Sequence, residues 1–192
     1  TLLTVTKLSK SFGGVHAVAD LDLQIHEGAV HSIIGPNGAG KTSLINLLSG
    51  VYAPTSGSIR LDGRDLAGQT TFRFAQAGIG RTFQNLQVFF NMTALENVMT
   101  GRHLRQPCSL LASLLHTPAM RRAEIACRAS ARQLLQRVGL EAYEETAADS
   151  MPYGALKRLE IVRALALKPR VLLLDEPAAG CNAVETEEID HL

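Results

Sequence analysis

The run Gly35-Pro36-Asn37-Gly38-Ala39-Gly40-Lys41-Thr42 packs several phosphate-binding devices into one short stretch. Its glycines let the backbone curl so that successive N–H groups point into one concavity. A helix expected to leave the loop through Ser43 adds partial positive charge at its N-terminus. Lys41 adds a full charge and dominates. A unit charge about 4 Å from a phosphate is worth roughly 4 kcal/mol at a surface-like dielectric, against about 0.3–1 kcal/mol for the dipole of an exposed helix end. The Thr42 hydroxyl is the expected protein ligand for Mg²⁺. The chemistry implied is the binding of a nucleoside triphosphate.

A second group of candidates lies far downstream in Leu172-Leu173-Leu174-Asp175-Glu176-Pro177. Two acids follow an apolar run that reads as a buried strand, and ligands bind at such strand ends in doubly wound sheets. Asp175 is then expected near Thr42, holding Mg²⁺ directly or through water. Glu176 is expected to orient and deprotonate the water that attacks the γ-phosphate. Gln84, in Arg81-Thr82-Phe83-Gln84-Asn85, has an amide able to touch both Mg²⁺ and that water; its spacing alone equally allows an exposed loop glutamine. Phe12, before Gly13-Gly14, suits either an adenine stack or a core position. The six histidines are scattered without metal-ligand spacing.

Positioning these residues requires alternating strands and helices. Leu3–Lys10 and Ala19–Ile25 alternate apolar and polar residues as half-buried strands do. Val30–Ile34 reads as the strand entering the phosphate loop, and Ser43–Leu48 as the helix leaving it. Pro54–Gly57 is a turn, Ser58–Leu61 a short strand closed by Asp62-Gly63, and Ile79–Phe83 another strand. From about Thr93 to Ala147 the pattern is helical, with a proline-free stretch over Met120–Val138. Gly154–Leu167 reads as a helix ended by Lys168-Pro169. The expected fold is an α/β core interrupted by a helical arm.

The chain has 192 residues, enough for one domain with a sizeable core. Hydrophobic residues make up 46% and charged residues 19%, which excludes a disordered chain. The net charge of +1 offers no argument for a nucleic-acid partner. Cys108, Cys127 and Cys181 are odd in number and lack metal-ligand spacing, which favours free thiols. The longest apolar run, Ser109–Leu115, falls well short of the ~18 residues needed to span a bilayer.

The order of these elements resembles the ATP-binding cassette family, and the resemblance covers nearly the whole chain. Within it the chain looks most like the ATPase subunits of high-affinity branched-chain amino acid importers, on Gly80–Asn85, Tyr153-Gly154 followed by Arg158–Leu165, and Asp175–Gly180. The resemblance implies a P-loop core with an antiparallel β subdomain, residues 1–84 and 165–192, and a helical arm with the signature helix over about 85–164. It implies that Phe12, Val18, Gly35 to Ser43, Tyr153 and Gly154 contact ATP. It assigns Mg²⁺ to Thr42, Gln84 and Asp175, and catalysis to Glu176, Lys41 and Gln84.

It also implies a second ATPase subunit packed head to tail, integral-membrane permease subunits met by Leu86–Asn97, and, indirectly, a substrate-binding protein. The implied location is the cytoplasmic face of a bacterial inner membrane. Two departures stand out. The signature Met151-Pro152-Tyr153-Gly154-Ala155-Leu156 has Pro152 for the usual Ser and Ala155 for the usual Gln. By the same resemblance the chain ends before the histidine that senses the γ-phosphate, His191 coming too early, so the isolated chain is expected to bind and hydrolyse ATP poorly. Other cargoes (urea, another amino acid, a lipid), a soluble cassette ATPase of DNA repair or translation, and a non-catalytic remnant are the competing readings.

Overall fold

A computed structural model of the chain describes residues 1–103 and 118–190. Cys108, the run Ser109–Leu115 and His191 lie outside the described residues. The chain divides into two compact units: Thr1–Gly80 with Arg170–Leu173, and Arg81–Pro169 with Leu174–Leu192.

The first unit is built on antiparallel strands. Strand β1 (Leu3–Phe12) turns through Gly13-Gly14 into β2 (Val15–Ile25). On its other edge β1 pairs with β3 (Ser56–Leu61), which pairs with the short β4 (Arg64–Asp65), giving the order β2-β1-β3-β4. The register sets Leu3 opposite Leu61 and Val5 opposite Ile59, so the period-two alternation stacks these four residues on one buried face. Helix α1 (Lys41–Leu48) lays Leu44, Ile45, Leu47 and Leu48 into the same core. Helix α2 (Thr71–Ala77), which the sequence pattern did not suggest, adds Phe74 and ends at Gly78. Two turns carrying one fully buried residue are too short to display a helical period. Strands β5 (Ile79–Arg81) and β6 (Val171–Leu173) pair in a separate two-stranded sheet.

Three strand expectations need correction. Val30–Ile34 forms no strand: Val30 is 96% and Ile34 92% exposed. An apolar run becomes a strand only where a neighbour supplies N–H and C=O partners, and among the described residues no strand pairs with this one. β5 stops at Arg81, because Thr82 and Phe83 turn their polar groups to Asp175 and Glu160 instead of to a sheet. In the third case Val171 and Leu173 are buried, whereas Leu174, expected in the same buried run, is exposed.

The second unit is helical. Helix α3 (Ala94–Gly101) opens with a reciprocal capping box: the Thr93 hydroxyl accepts from the Glu96 N–H, and the Glu96 carboxylate accepts from the Thr93 N–H. It packs with α4 (Pro118–Arg137) and α5 (Tyr153–Ala166) around Leu95, Val98, Leu135, Leu140, Leu159 and Val162. Helix α5 ends as expected, with Lys168 in the left-handed region before Pro169. Helix α6 (Ala183–Asp190) follows the acidic segment. Where α3 meets α5 the two backbones touch, and a Cβ on Gly101 would collide with the Arg163 carbonyl. Gly101→Ala is therefore expected to lower stability by about 1–3 kcal/mol, the usual cost of overpacking, read as a lower urea unfolding midpoint.

Candidate functional site

The candidate residues fall into two groups, each within one unit. In the first unit the phosphate loop runs into α1, whose first residue is Lys41. Gly38 and Gly40 both adopt left-handed backbone, at φ 81° and 85°. Gly40 is required twice over, since a Cβ there would also strike the Ala17 carbonyl oxygen of β2. The Lys41 ammonium donates to the carbonyls of Gly35 at 2.7 Å and Pro36 at 2.9 Å, which holds it against its own loop. Two of its three donors are thereby used. Thr42 and Ser43 lie in the first turn of the helix, Thr42 exposed and Ser43 half-buried. Backbone curl, helix end, ammonium and hydroxyl together fit a triphosphate and a divalent cation.

Phe12 ends β1 and is 43% exposed, so it is not a core residue. Tyr52 meets it edge-on at 5.2 Å, and the Lys10 ammonium stands 5.0 Å from its centroid. Both escaped the sequence reading: Tyr52 joins Phe12 only through the approach of distant segments, and Lys10 lies two residues before it on the same strand. Val18 is half-buried against the core, beside Gly40.

In the second unit Asp175 is buried and ion-paired with Arg81 at 3.3 Å, both side chains being more than nine-tenths covered. The Asp175 N–H donates to the Thr82 hydroxyl, and the Arg81 guanidinium also lies 4.7 Å over the Phe83 ring. Glu176 is exposed and sits in the left-handed region at φ 49°, a conformation costing a non-glycine residue about 1–3 kcal/mol. Gln84 Nε2 donates to Glu176 Oε2 at 3.3 Å, joining two residues 92 positions apart. Arg81 was missed as a site residue; its proximity to Gln84 in sequence was the only available signal.

The signature residues start α5. Pro152 caps it with no side-chain hydrogen bond, and Ala155 and Leu156 point into the core in place of the amides usual there. The Tyr153 hydroxyl donates to the Ala179 carbonyl at 3.2 Å. Gly154 is buried beneath the Glu185 carboxylate, where a Cβ would collide. Of the residues assigned to a permease contact, Phe89 and Phe90 are about half exposed, whereas Val88 turns inward to the helical core.

Glu160 on α5 is 2% exposed. Burial pushes its carboxyl above the ordinary glutamate value of 4.5, against the pull of the Phe83 and Gln87 N–H groups and of Lys157 and Arg163. The same burial lowers the Arg163 guanidinium, which Glu160 partly offsets.

Comparison with known proteins gives the family. The model of the ABC transporter family matches residues 18–179. The high-affinity branched-chain amino acid transport ATP-binding protein BraF of Pseudomonas aeruginosa is 44% identical over 191 residues, covering all of this chain and 75% of that protein. The corresponding LivG proteins of Salmonella typhimurium and Escherichia coli K12 are 43% and 41% identical over the same spans. Among solved structures, the ADP conformation of an ATP-binding cassette of an ABC transporter superposes with a TM-score of 0.81 at 29% identity, covering 99% of this chain and 74% of that one. A nucleotide-free cassette gives 0.81 at 30%, covering 98% and 74%. This chain belongs to the ABC transporter family, as one of its ATP-hydrolysing subunits.

Two outcomes follow from the second unit's charges. Arg81→Met leaves Asp175 buried without its cation and is expected to cost about 3 kcal/mol, measured by urea unfolding at neutral pH. Glu160, with its folded-state pKa raised, binds its proton more tightly folded than unfolded. Its contribution to stability therefore falls as pH rises above 4.5 and through the raised folded value. Glu160→Gln removes that slope, so the difference in unfolding free energy shifts in the variant's favour as pH rises across this window.

Proposed function

We propose that this chain powers an importer of branched-chain amino acids by binding and hydrolysing ATP. The observation that carries the reading is the Gln84–Glu176 hydrogen bond, which sets a glutamine amide against a candidate base in a chain that also has an intact phosphate loop. Lys41 and the loop N–H groups hold the β- and γ-phosphates, and Phe12, with Val18 beneath, receives the adenine. Glu176 takes the proton of the attacking water, and Gln84 orients that water. Thr42, Gln84 and Asp175 would be the residues to hold Mg²⁺, which would supply positive charge to the transferred phosphoryl group. Arg81 holds the Asp175 carboxylate in place within the protein.

One chain supplies half of each catalytic arrangement in this reading. The signature around Tyr153 and Gly154 faces the nucleotide of a second ATPase subunit, packed head to tail. Pro152, Ala155 and Leu156 leave that contact to backbone N–H groups, and Glu185 moves off Gly154 as the subunits close. The half-exposed Phe89 and Phe90 meet the permease. Among the described residues no helix is long and apolar enough to cross a membrane, which suits a peripheral place on the cytoplasmic face of a bacterial inner membrane. The cargo rests on the relatives: BraF and LivG are branched-chain amino acid transport proteins at 41–44% identity.

Glu176→Gln tests the chemistry. It is expected to lower kcat for ATP by about 10²–10⁴-fold, the range for a lost general base, while ATP binding, followed with a fluorescent analogue, persists. Equal turnover by variant and wild type would remove Glu176 as the base. Leucine, isoleucine and valine uptake by cells carrying that variant tests the cargo: loss of all three is expected, and unchanged uptake excludes it.

A further inference from the structure

Lys157, Glu160 and Arg163 recur at three-residue spacing on α5, a helix whose other inward residues are apolar. All three contact the segment that follows β5. Lys157 Nζ donates to the Gln84 carbonyl oxygen at 3.1 Å. Glu160 Oε1 accepts from the Phe83 N–H at 3.1 Å, and its carboxylate also receives the Gln87 N–H. The Arg163 guanidinium stands 5.4 Å from the centre of the Phe89 ring. Lys157 is 1% and Glu160 2% exposed. Charges that deep are costly, and well-packed apolar residues often serve stability as well or better. What buried charges can add is register. Here their bonds go to backbone on either side of the Gln84 side chain, and that side chain donates to Glu176.

We propose that Lys157 and Glu160 are positioning residues for ATP hydrolysis: by holding the backbone on both sides of Gln84, they set where its amide meets Glu176. The proposal rests on Glu176 being the base. A rigid α5 carries both grips and also carries the signature at its first turn, so movement of the signature is transmitted to Gln84 through two buried polar contacts. The far end of the same segment is tied independently. Asn97 of α3, fully buried, donates to the Phe89 carbonyl at 2.9 Å and accepts from the Phe89 N–H at 2.8 Å. Residues 83–89 are thus anchored at each end and have little freedom to adjust if one grip is lost.

The test measures kcat and KM for ATP in the assembled transporter. Glu160→Ala is expected to lower kcat about tenfold or more, as misplacement of a catalytic group does, with KM changed less than twofold. Glu160→Gln, which keeps one acceptor oxygen, falls between, and Lys157→Met follows the alanine pattern. Added to Gln84→Ala, Glu160→Ala costs less than about twofold further, because coupled residues are not additive. Amide exchange at Phe83 and Gln87 quickens in Glu160→Ala. If that variant does not fold, Lys157→Met and Glu160→Gln decide by the same readings. Wild-type kcat in these variants, or a full multiplication of the Glu160→Ala and Gln84→Ala losses, overturns the proposal. Glu176→Gln run alongside separates the cases: if it turns over normally, the base reading fails and the proposal with it; if it is dead while the α5 variants are normal, the proposal alone fails.

Discussion

The stretch from Phe83 to Thr93 has neither a sheet nor a helix to satisfy its backbone, yet it carries Gln84. Buried N–H and C=O groups must find partners. Here side chains supply partners at both ends, Glu160 and Lys157 from α5 at one and Asn97 from α3 at the other, beside the Ala148 and Asp149 N–H groups that donate to the Met92 and Phe90 carbonyls. The two helices that satisfy the segment, α3 and α5, also come into close backbone contact at Gly101. The charge buried in α5 answers the segment's need for partners.

The same economy governs the acidic end. Asp175 is buried, and a carboxylate removed from water needs a cation and hydrogen bonds. Arg81 provides both, donating to Asp175 Oδ2, while the Thr82 hydroxyl accepts from the Asp175 N–H; both residues lie just before Gln84. A single short segment thus serves both acids: Arg81 holds Asp175, and Gln84 meets Glu176. Backbone strain at Glu176 is retained because its neighbours over-determine it, with the Ala179 N–H bonded to its carbonyl and Gln84 bonded to its carboxylate.

Much of this was legible in the residues. The phosphate loop declares itself because glycine, lysine and threonine at fixed spacing do their work locally, through backbone torsions and one charge. The strands β1 and β3 were legible because a half-buried sheet imposes a period of two. Gln84, Asp175 and Glu176 were recognisable as candidates, although only as separate ones. By contrast, Val30–Ile34 has the composition of a strand and lacks a strand's neighbour, so its pattern misled. Lys157 was visible only as a member of the Gly154–Leu167 helix, and Glu160 as that and as part of the Arg158–Leu165 string; periodicity says which face a residue occupies, not which backbone group it will find.

By itself, then, the sequence determined the phosphate-binding loop, the two-stranded alternation around it and the acidic pair, since each depends on interactions a few residues long. The tertiary structure alone decided that Arg81 neutralises Asp175, that Gln84 touches Glu176, and that α5 holds the backbone between them. Those contacts join positions 73 to 94 residues apart. Hydrogen bonds and ion pairs act over a few ångströms in space, and no local pattern records which distant segments the chain will bring within that reach.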